Sequence, residues 1–176
     1  MRIISGHYRG KQIQPPRNFK VRPTTDFAKE GLFNILMNQF ELEKLDILDL
    51  FSGTGSITYE FASRGARAVV AVEQEPQHHR FIQRTCQSLG MDQVTVLRMD
   101  AFKYLHHPVQ SFDIVFADPP YNHPRLLEIP DLVLGGGMLQ PEGILILEHP
   151  SRESFTAHPR FIRHRNYGSV NFSLFQ

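Results

Sequence analysis

Leu45-Asp46-Ile47-Leu48-Asp49-Leu50-Phe51-Ser52-Gly53-Thr54-Gly55-Ser56 is the stretch from which the fold can be read. An apolar run over 45–50 leads into a turn with two glycines, and a helical pattern starts at 56. Glycines at a strand-to-helix turn let a ligand come close to the backbone, at the carboxyl edge where doubly wound sheets bind ligands. Outward from this point, apolar runs over 68–73, 93–98, 112–117 and 143–148 alternate with helical patterns near 56–64, 76–89, 101–105 and 125–134. The second of these helices opens with Pro76 and stops at Gly90, a sound start and end. Because most of the strands are continuous apolar runs, they belong in a parallel sheet covered on both faces.

The two ends of the chain depart from this alternation. Residues 160–165 and 170–175 alternate in polarity around a turn containing Asn166-Tyr167-Gly168-Ser169, so they predict a hairpin whose antiparallel strand closes the sheet. Upstream, Ala28, Leu32, Ile35, Leu36 and Phe40 form the apolar face of a helix over about 26–40, capped by Thr25 or Asp26. Residues 1–23 read as a small β-hairpin or extended arm in which Arg2-Ile3-Ile4 and Lys11-Gln12-Ile13 flank a turn. The expected architecture is an α/β chain with a basic arm over 1–23 and a single doubly wound, Rossmann-like domain over 24–176.

A chain of 176 residues suits one core, and a domain of this size buries roughly 70% of its unfolded surface. With 41% hydrophobic and 21% charged residues the composition is that of a globular protein and not of a disordered one. No apolar stretch approaches the ~18 residues that span a bilayer, and the N-terminus lacks the apolar core of a signal peptide, so a cytoplasmic monomer with no membrane partner is expected. The single cysteine, Cys86, excludes an internal disulfide and reads as a buried apolar residue in a helix. The net charge of +1 conceals an asymmetry: residues 1–25 carry +6, residues 26–150 carry −8, and residues 151–176 carry +3. Cations interleaved with His7, Tyr8 and Phe19 suit a polyphosphate partner, although a solvated arm has the same composition.

Asp118-Pro119-Pro120-Tyr121 ends the apolar run over 112–117 and suits chemistry on an exocyclic amine. A ring-conjugated amine is a poor nucleophile, so a catalyst must hold its N–H groups with acceptors. Asp118 and the Pro119 carbonyl can do this, and Tyr121 offers a flat face for a base taken out of its stack. The competing structural reading is a strand-ending turn. Asp49, Phe51, Gly53 and Gly55 mark the cofactor turn, Glu73 ends the second strand where it can accept from two ribose hydroxyls, and Asp100 is placed for an adenine amino group. A nicotinamide dinucleotide is the rival ligand, but its fingerprint needs a third glycine where this chain has Thr58. S-adenosylmethionine, which has no phosphate, fits the acid-lined site better.

Together these motifs resemble the bacterial RsmD-type family, the guanine-N2 methyltransferases of small-subunit ribosomal RNA. The match covers nearly the whole chain, from Arg2-Ile3-Ile4-Ser5-Gly6 through Arg22-Pro23-Thr24-Thr25-Asp26 and the glycine turn to Phe116-Ala117-Asp118-Pro119-Pro120-Tyr121. The Arg-Pro-Thr-Thr-Asp block is the specific element. The resemblance implies a seven-stranded class I methyltransferase sheet with its last strand antiparallel, S-adenosylmethionine as donor, and a guanine of 16S ribosomal RNA or the small subunit as acceptor. Arg9, Lys11, Arg22, Thr24 and Thr25 would contact the RNA, and Asp118, Pro119 and Tyr121 would carry the catalysis. The family often has arginine where this chain has Phe27 and Lys29, and alanine where it has Ser52; Lys29 keeps the charge without the bidentate fork.

Two other classes of function share parts of this pattern. Amino methyltransferases of DNA adenine or cytosine, or of protein glutamine, have the same Pro-Pro-aromatic core. The DNA enzymes generally carry a recognition insertion for which this chain has no room, and the glutamine enzymes favour asparagine at the position of Asp118. A non-catalytic RNA-binding assembly factor is the third reading, which the intact Asp49, Gly53, Gly55, Glu73 and Asp118 oppose. The paired histidines His78-His79 and His106-His107 make no metal-ligand set, so no metal is expected, and Gly135-Gly136-Gly137 follows a helix and lacks a phosphate-loop ending. Glu148, at the end of the fifth strand, is equally open to a structural and a functional reading.

Overall fold

Seven strands form one sheet: β1 (Asp46–Leu50), β2 (Ala68–Val72), β3 (Val94–Leu97), β4 (Phe112–Ala117), β5 (Leu139–His149), β6 (Phe161–Tyr167) and β7 (Val170–Phe175). The computed structural model describes residues 1–19 and 24–176, so the expectation placed on Arg22 lies outside the described residues. The spatial order is β3-β2-β1-β4-β5-β7-β6. Strands β1 to β5 pair in parallel, whereas β7 runs antiparallel to both β5 and β6. This is the sheet of a class I methyltransferase, with the last strand reversed. Helix α1 (Asp26–Met37) precedes β1, and α2 (Ser56–Ser63), α3 (Pro76–Leu89), α4 (Ala101–His106) and α5 (Ile129–Gly135) connect β1 to β5 in turn.

The side-chain alternation of the central strands divides the core in two. Leu48 and Leu50 of β1, Val115 and Ala117 of β4, and Leu145 and Leu147 of β5 pack with Phe102, Leu105, Ile129 and Val133 on the face covered by α4 and α5. Their neighbours Ile47, Ile114, Phe116, Ile144 and Ile146 pack with Leu32, Phe33, Leu36, Ile57 and Phe61 of α1 and α2. Both sets are buried, which is why these strands read as unbroken apolar runs. The fifth strand begins at Leu139, earlier than its apolar run suggests, because half-buried Leu139 pairs with Phe112 before a register shift and the exposed residues 140–142 precede the apolar run.

The N-terminal segment closes on itself through one antiparallel pair, Arg2 with Gln12, and lies on the helical layer. Ile3 and Ile13 are buried against Tyr59, Ala62, Ile82, Cys86 and Met91. Gly6 has φ +82°, and a Cβ there would lie 1.9 Å from the Ser63 carbonyl oxygen, so the chain crosses α2 where only glycine fits. Lys29, which keeps the charge of the arginine common at this position, is 1% exposed, so that charge faces the interior. Its Nζ donates to the Arg2 carbonyl at 2.6 Å and lies 3.9 Å from both Asp26 and Glu60. Cys86 is buried as expected, and burial pushes its thiol up to about 12.

Candidate active site

The strand order reverses between β1 and β4, and a cavity of about 490 Å³ opens there at the carboxyl ends of the strands. The turn after β1 forms one wall. Gly55 has φ +83°, and a Cβ at that position would come within 2.6 Å of the Tyr59 ring. Phe51 adopts the left-handed conformation with φ +60°, unusual for a bulky residue. Its ring packs edge-on against Phe102 at 5.8 Å and His123 at 6.3 Å, which holds the turn in place.

Glu73, immediately after β2, is held by both carboxylate oxygens, one bonded to that turn and the other to its own loop. Oε2 accepts from the Gly53 amide and Oε1 from the Glu75 amide, each at 2.7 Å. A carboxylate has about four lone-pair positions, so these two bonds fix its direction and leave acceptor capacity on the cavity wall. Asp100 caps α4, with Oδ1 accepting from the Lys103 amide at 2.9 Å, so one of its oxygens has a structural role beside the ligand role expected of it. Asp49 is 1% exposed at the cavity floor. Burial pushes its carboxyl up to about 7 even though Thr58 donates to Oδ2 at 2.5 Å. Thr58, which counted above only as a missing glycine, therefore holds the acid of the turn.

Asp118 and Glu148 stand side by side, because each directly follows a residue of the parallel pair Ala117 and Leu147 on β4 and β5. Burial raises the proton affinity of Asp118 well above that of an ordinary aspartate, and the Glu148 and Asp49 carboxylates raise it further. Pro119 is buried, while Pro120 is exposed. The Tyr121 hydroxyl donates to Glu148 Oε1 at 2.9 Å, the Thr24 hydroxyl donates to Oε2 at 3.4 Å, and Arg152 donates to the Tyr121 carbonyl. Glu148 thus belongs to the same wall as the Asp118–Tyr121 loop, and all of these acids line one cavity.

Of the residues expected to meet RNA, Thr24 is a buried part of the cavity wall and Thr25 caps α1, its hydroxyl accepting from the Ala28 amide at 3.2 Å. Arg9 and Lys11 are exposed on the N-terminal segment. The sequence reading missed His123, which lines the cavity and stacks on Phe102 at 4.7 Å with an interplanar angle of 17°. The Arg125 guanidinium lies 4.3 Å from the same ring, so the loop after Tyr121 is pinned to α4. Only the spacing of His123 two residues beyond Tyr121 could have suggested it.

The cavity fits S-adenosylmethionine. Gly53 and Gly55 leave the backbone open to a ligand, and the Glu73 and Asp100 carboxylates on the same cavity have the acceptor chemistry that ribose hydroxyls and an adenine amine require. The buried Ser56 hydroxyl has no hydrogen-bond partner among the described residues and stands at the amino end of α2, which suits a carboxylate such as that of the methionine moiety. No group of three His, Cys, Asp or Glu residues is arranged to hold a metal ion among the described residues.

This chain matches relatives over most of their length. The Haemophilus influenzae protein named ribosomal RNA small subunit methyltransferase D is 28% identical, over 100% of this chain and 93% of its own. The Buchnera aphidicola protein of that name is 30% identical, over 84% of this chain and 75% of its own. Among solved structures, Escherichia coli yhhF superposes with a TM-score of 0.87 at 28% identity, over 100% of this chain and 97% of that one. The family model described as conserved hypothetical protein 95 matches residues 1–176, and the chain accordingly belongs to that family, the RsmD family.

Proposed function

We propose that this protein transfers a methyl group from S-adenosylmethionine to the exocyclic N2 amine of a guanine in small-subunit ribosomal RNA. The observation that carries this reading is the Asp118 carboxylate, which follows β4 and shares one cavity with the glycine turn and Glu73. The names of the full-length relatives support ribosomal RNA as the acceptor class.

The bound donor supplies an electrophilic methyl on a positively charged sulfur. Asp118 and the Pro119 carbonyl accept hydrogen bonds from the amine and aim its nitrogen, and the Tyr121 ring gives the flipped base a face to stack on. The ring cannot swing freely because its hydroxyl is bonded to Glu148. Orientation of this kind is worth up to about 7–11 kcal/mol of barrier, so positioning supplies most of the catalysis. Once alkylated, the amine becomes strongly acidic, and the raised proton affinity of Asp118 suits its carboxylate oxygen to hold the released proton.

The deciding experiment is transfer of labelled methyl to unmodified small subunits and to protein-free RNA, followed by mass spectrometry of the nucleosides. N2-methylguanosine is expected. A different methylated nucleoside would retain the donor and replace the acceptor; donor binding with no transfer would leave a binding role. For Glu73→Ala, calorimetry should show donor affinity reduced by about tenfold, the loss of one to two hydrogen bonds to a charged acceptor. Unchanged affinity would remove Glu73 from the ribose site. Reversing Arg9 and Lys11 to glutamate should lower the slope of log affinity against log salt by about 0.7 for each phosphate that is no longer neutralised. A slope equal to that of the wild type would return these residues to the role of a solvated face.

A further inference from the structure

We propose that Glu148 reads the N1–H of the acceptor guanine and so selects guanine over purines that lack a proton there. The inference rests on the guanine-N2 reading given above. Guanine has an unusual Watson–Crick edge, on which the N2 amine and the N1–H are adjacent donors. With Asp118 and the Pro119 carbonyl holding the amine, the next donor on that edge needs a second acceptor beside the first. The structure places one there. Asp118 and Glu148 directly follow a paired residue on each of two neighbouring parallel strands, which run roughly 4.8 Å apart. Both line the cavity.

Tyr121 adds a second, independent constraint. Its hydroxyl lies in the plane of the ring and donates to Glu148 Oε1 at 2.9 Å, so the carboxylate sits at the rim of the ring. The edge of a base stacked on that ring arrives at the same rim. The Thr24 hydroxyl donates to the other oxygen at 3.4 Å, and Glu148 as a whole is 5% exposed. A carboxylate with about four lone-pair positions can accept another N–H while it keeps bonds of this kind. It cannot accept from adenine or 2-aminopurine, whose N1 carries a lone pair that would face a negative charge. Sites built to hydrogen-bond a donor reject analogues that lack it far more strongly than apolar pockets reject a missing methylene.

The test uses 2-aminopurine, which keeps the amine at position 2 but has no proton on N1. It is placed by ligation at the guanine that mass spectrometry locates, and the RNA is assembled into small subunits. The wild-type protein should prefer guanine by about a hundredfold or more in kcat/KM. In Glu148→Gln the amide can turn its N–H toward N1, and the preference should collapse to about tenfold or less, since the unfavourable pairing has been removed. Donor affinity within a few-fold of the wild type establishes that the variant is folded. Equal preferences in the two proteins would overturn the assignment, as would a wild-type preference below about threefold, which needs no variant. Failure of the wild type to form N2-methylguanosine on the unaltered substrate would remove the underlying reading and this inference with it, a result seen before any analogue is used.

Discussion

Asp118→Ala is expected to lower kcat for methyl transfer by about 10²–10⁴-fold, while donor affinity changes by less than about threefold. The split follows from the position of the residue. Asp118 follows β4, where the proposed acceptor amine would sit, whereas the groups suited to the donor follow β1 and β2 and open α4. Removing the carboxylate takes away an acceptor for the amine and a place for its proton, and leaves the glycine turn and Glu73 in place. Asp118→Asn keeps one acceptor oxygen but turns an N–H toward a substrate that is itself a donor, so it should fall between alanine and the wild type. Single-turnover transfer to small subunits, with calorimetry of the donor, measures both quantities. Full-rate transfer by Asp118→Ala would end the assignment.

The same residue predicts opposite trends with pH for activity and for stability. Burial, then Glu148 and Asp49, raise its proton affinity in the folded protein. Only the carboxylate offers both oxygens to the amine and can take up its proton, so activity rises with pH and is lost on acidification earlier than an ordinary aspartate would imply. In the unfolded chain the proton leaves at lower pH, so between the unfolded and folded values the folded state holds more protons. The contribution of Asp118 to stability therefore declines as pH rises through that window. Asp49, raised to about 7 by burial, acts in the same direction. A cavity lined with acids at some cost to stability is suited to a cationic ligand.

How much of this was legible in the sequence varied with the range of the contact. The alternation of apolar runs and helical patterns is local, and it located every strand, including the reversed hairpin of β6 and β7. Gly55 and Asp118 were recognisable because strand, turn and helix lie within a few residues of each other. The partners of Glu148 were not, since Thr24 precedes it by 124 residues and Tyr121 by 27. Thr58 looked like a departure from a dinucleotide fingerprint until its bond to Asp49, nine residues earlier in sequence, gave it a role. The burial of Lys29 was illegible for a related reason. A lysine at the start of an amphipathic helix looks solvent-facing until a distant segment, residues 1–13, covers it.

That covering segment gives the largest expected effect on stability. Glu60→Ala should destabilise the protein by about 3–5 kcal/mol, the usual cost of removing one member of a buried ionic group. For a domain of this size that corresponds to a fall in Tm of roughly 6–20 °C. Glu60 is fully buried and accepts from the Ile4 amide at 2.9 Å, the Ser5 amide at 3.1 Å and Arg64 Nε at 2.8 Å, with Lys29 Nζ 3.9 Å away. Without it two amides and Arg64 Nε lose an acceptor together, and Lys29, still bonded to the Arg2 carbonyl, loses a neighbouring negative charge. Burial already lowers the proton affinity of Lys29, and Glu60 is the first of the charges that raise it again, so the variant should release that proton more readily. Folded Lys29 then binds fewer protons than unfolded Lys29, stability rises with pH, and the deficit should shrink between a neutral pH and an alkaline one below the ordinary lysine value. Thermal unfolding at the two pH values measures this, and a pH-independent deficit would show that the amides and not Lys29 dominate it. The double variant Glu60→Gln with Lys29→Met should recover much of the loss, because exchanging both members of a buried pair costs far less than orphaning one.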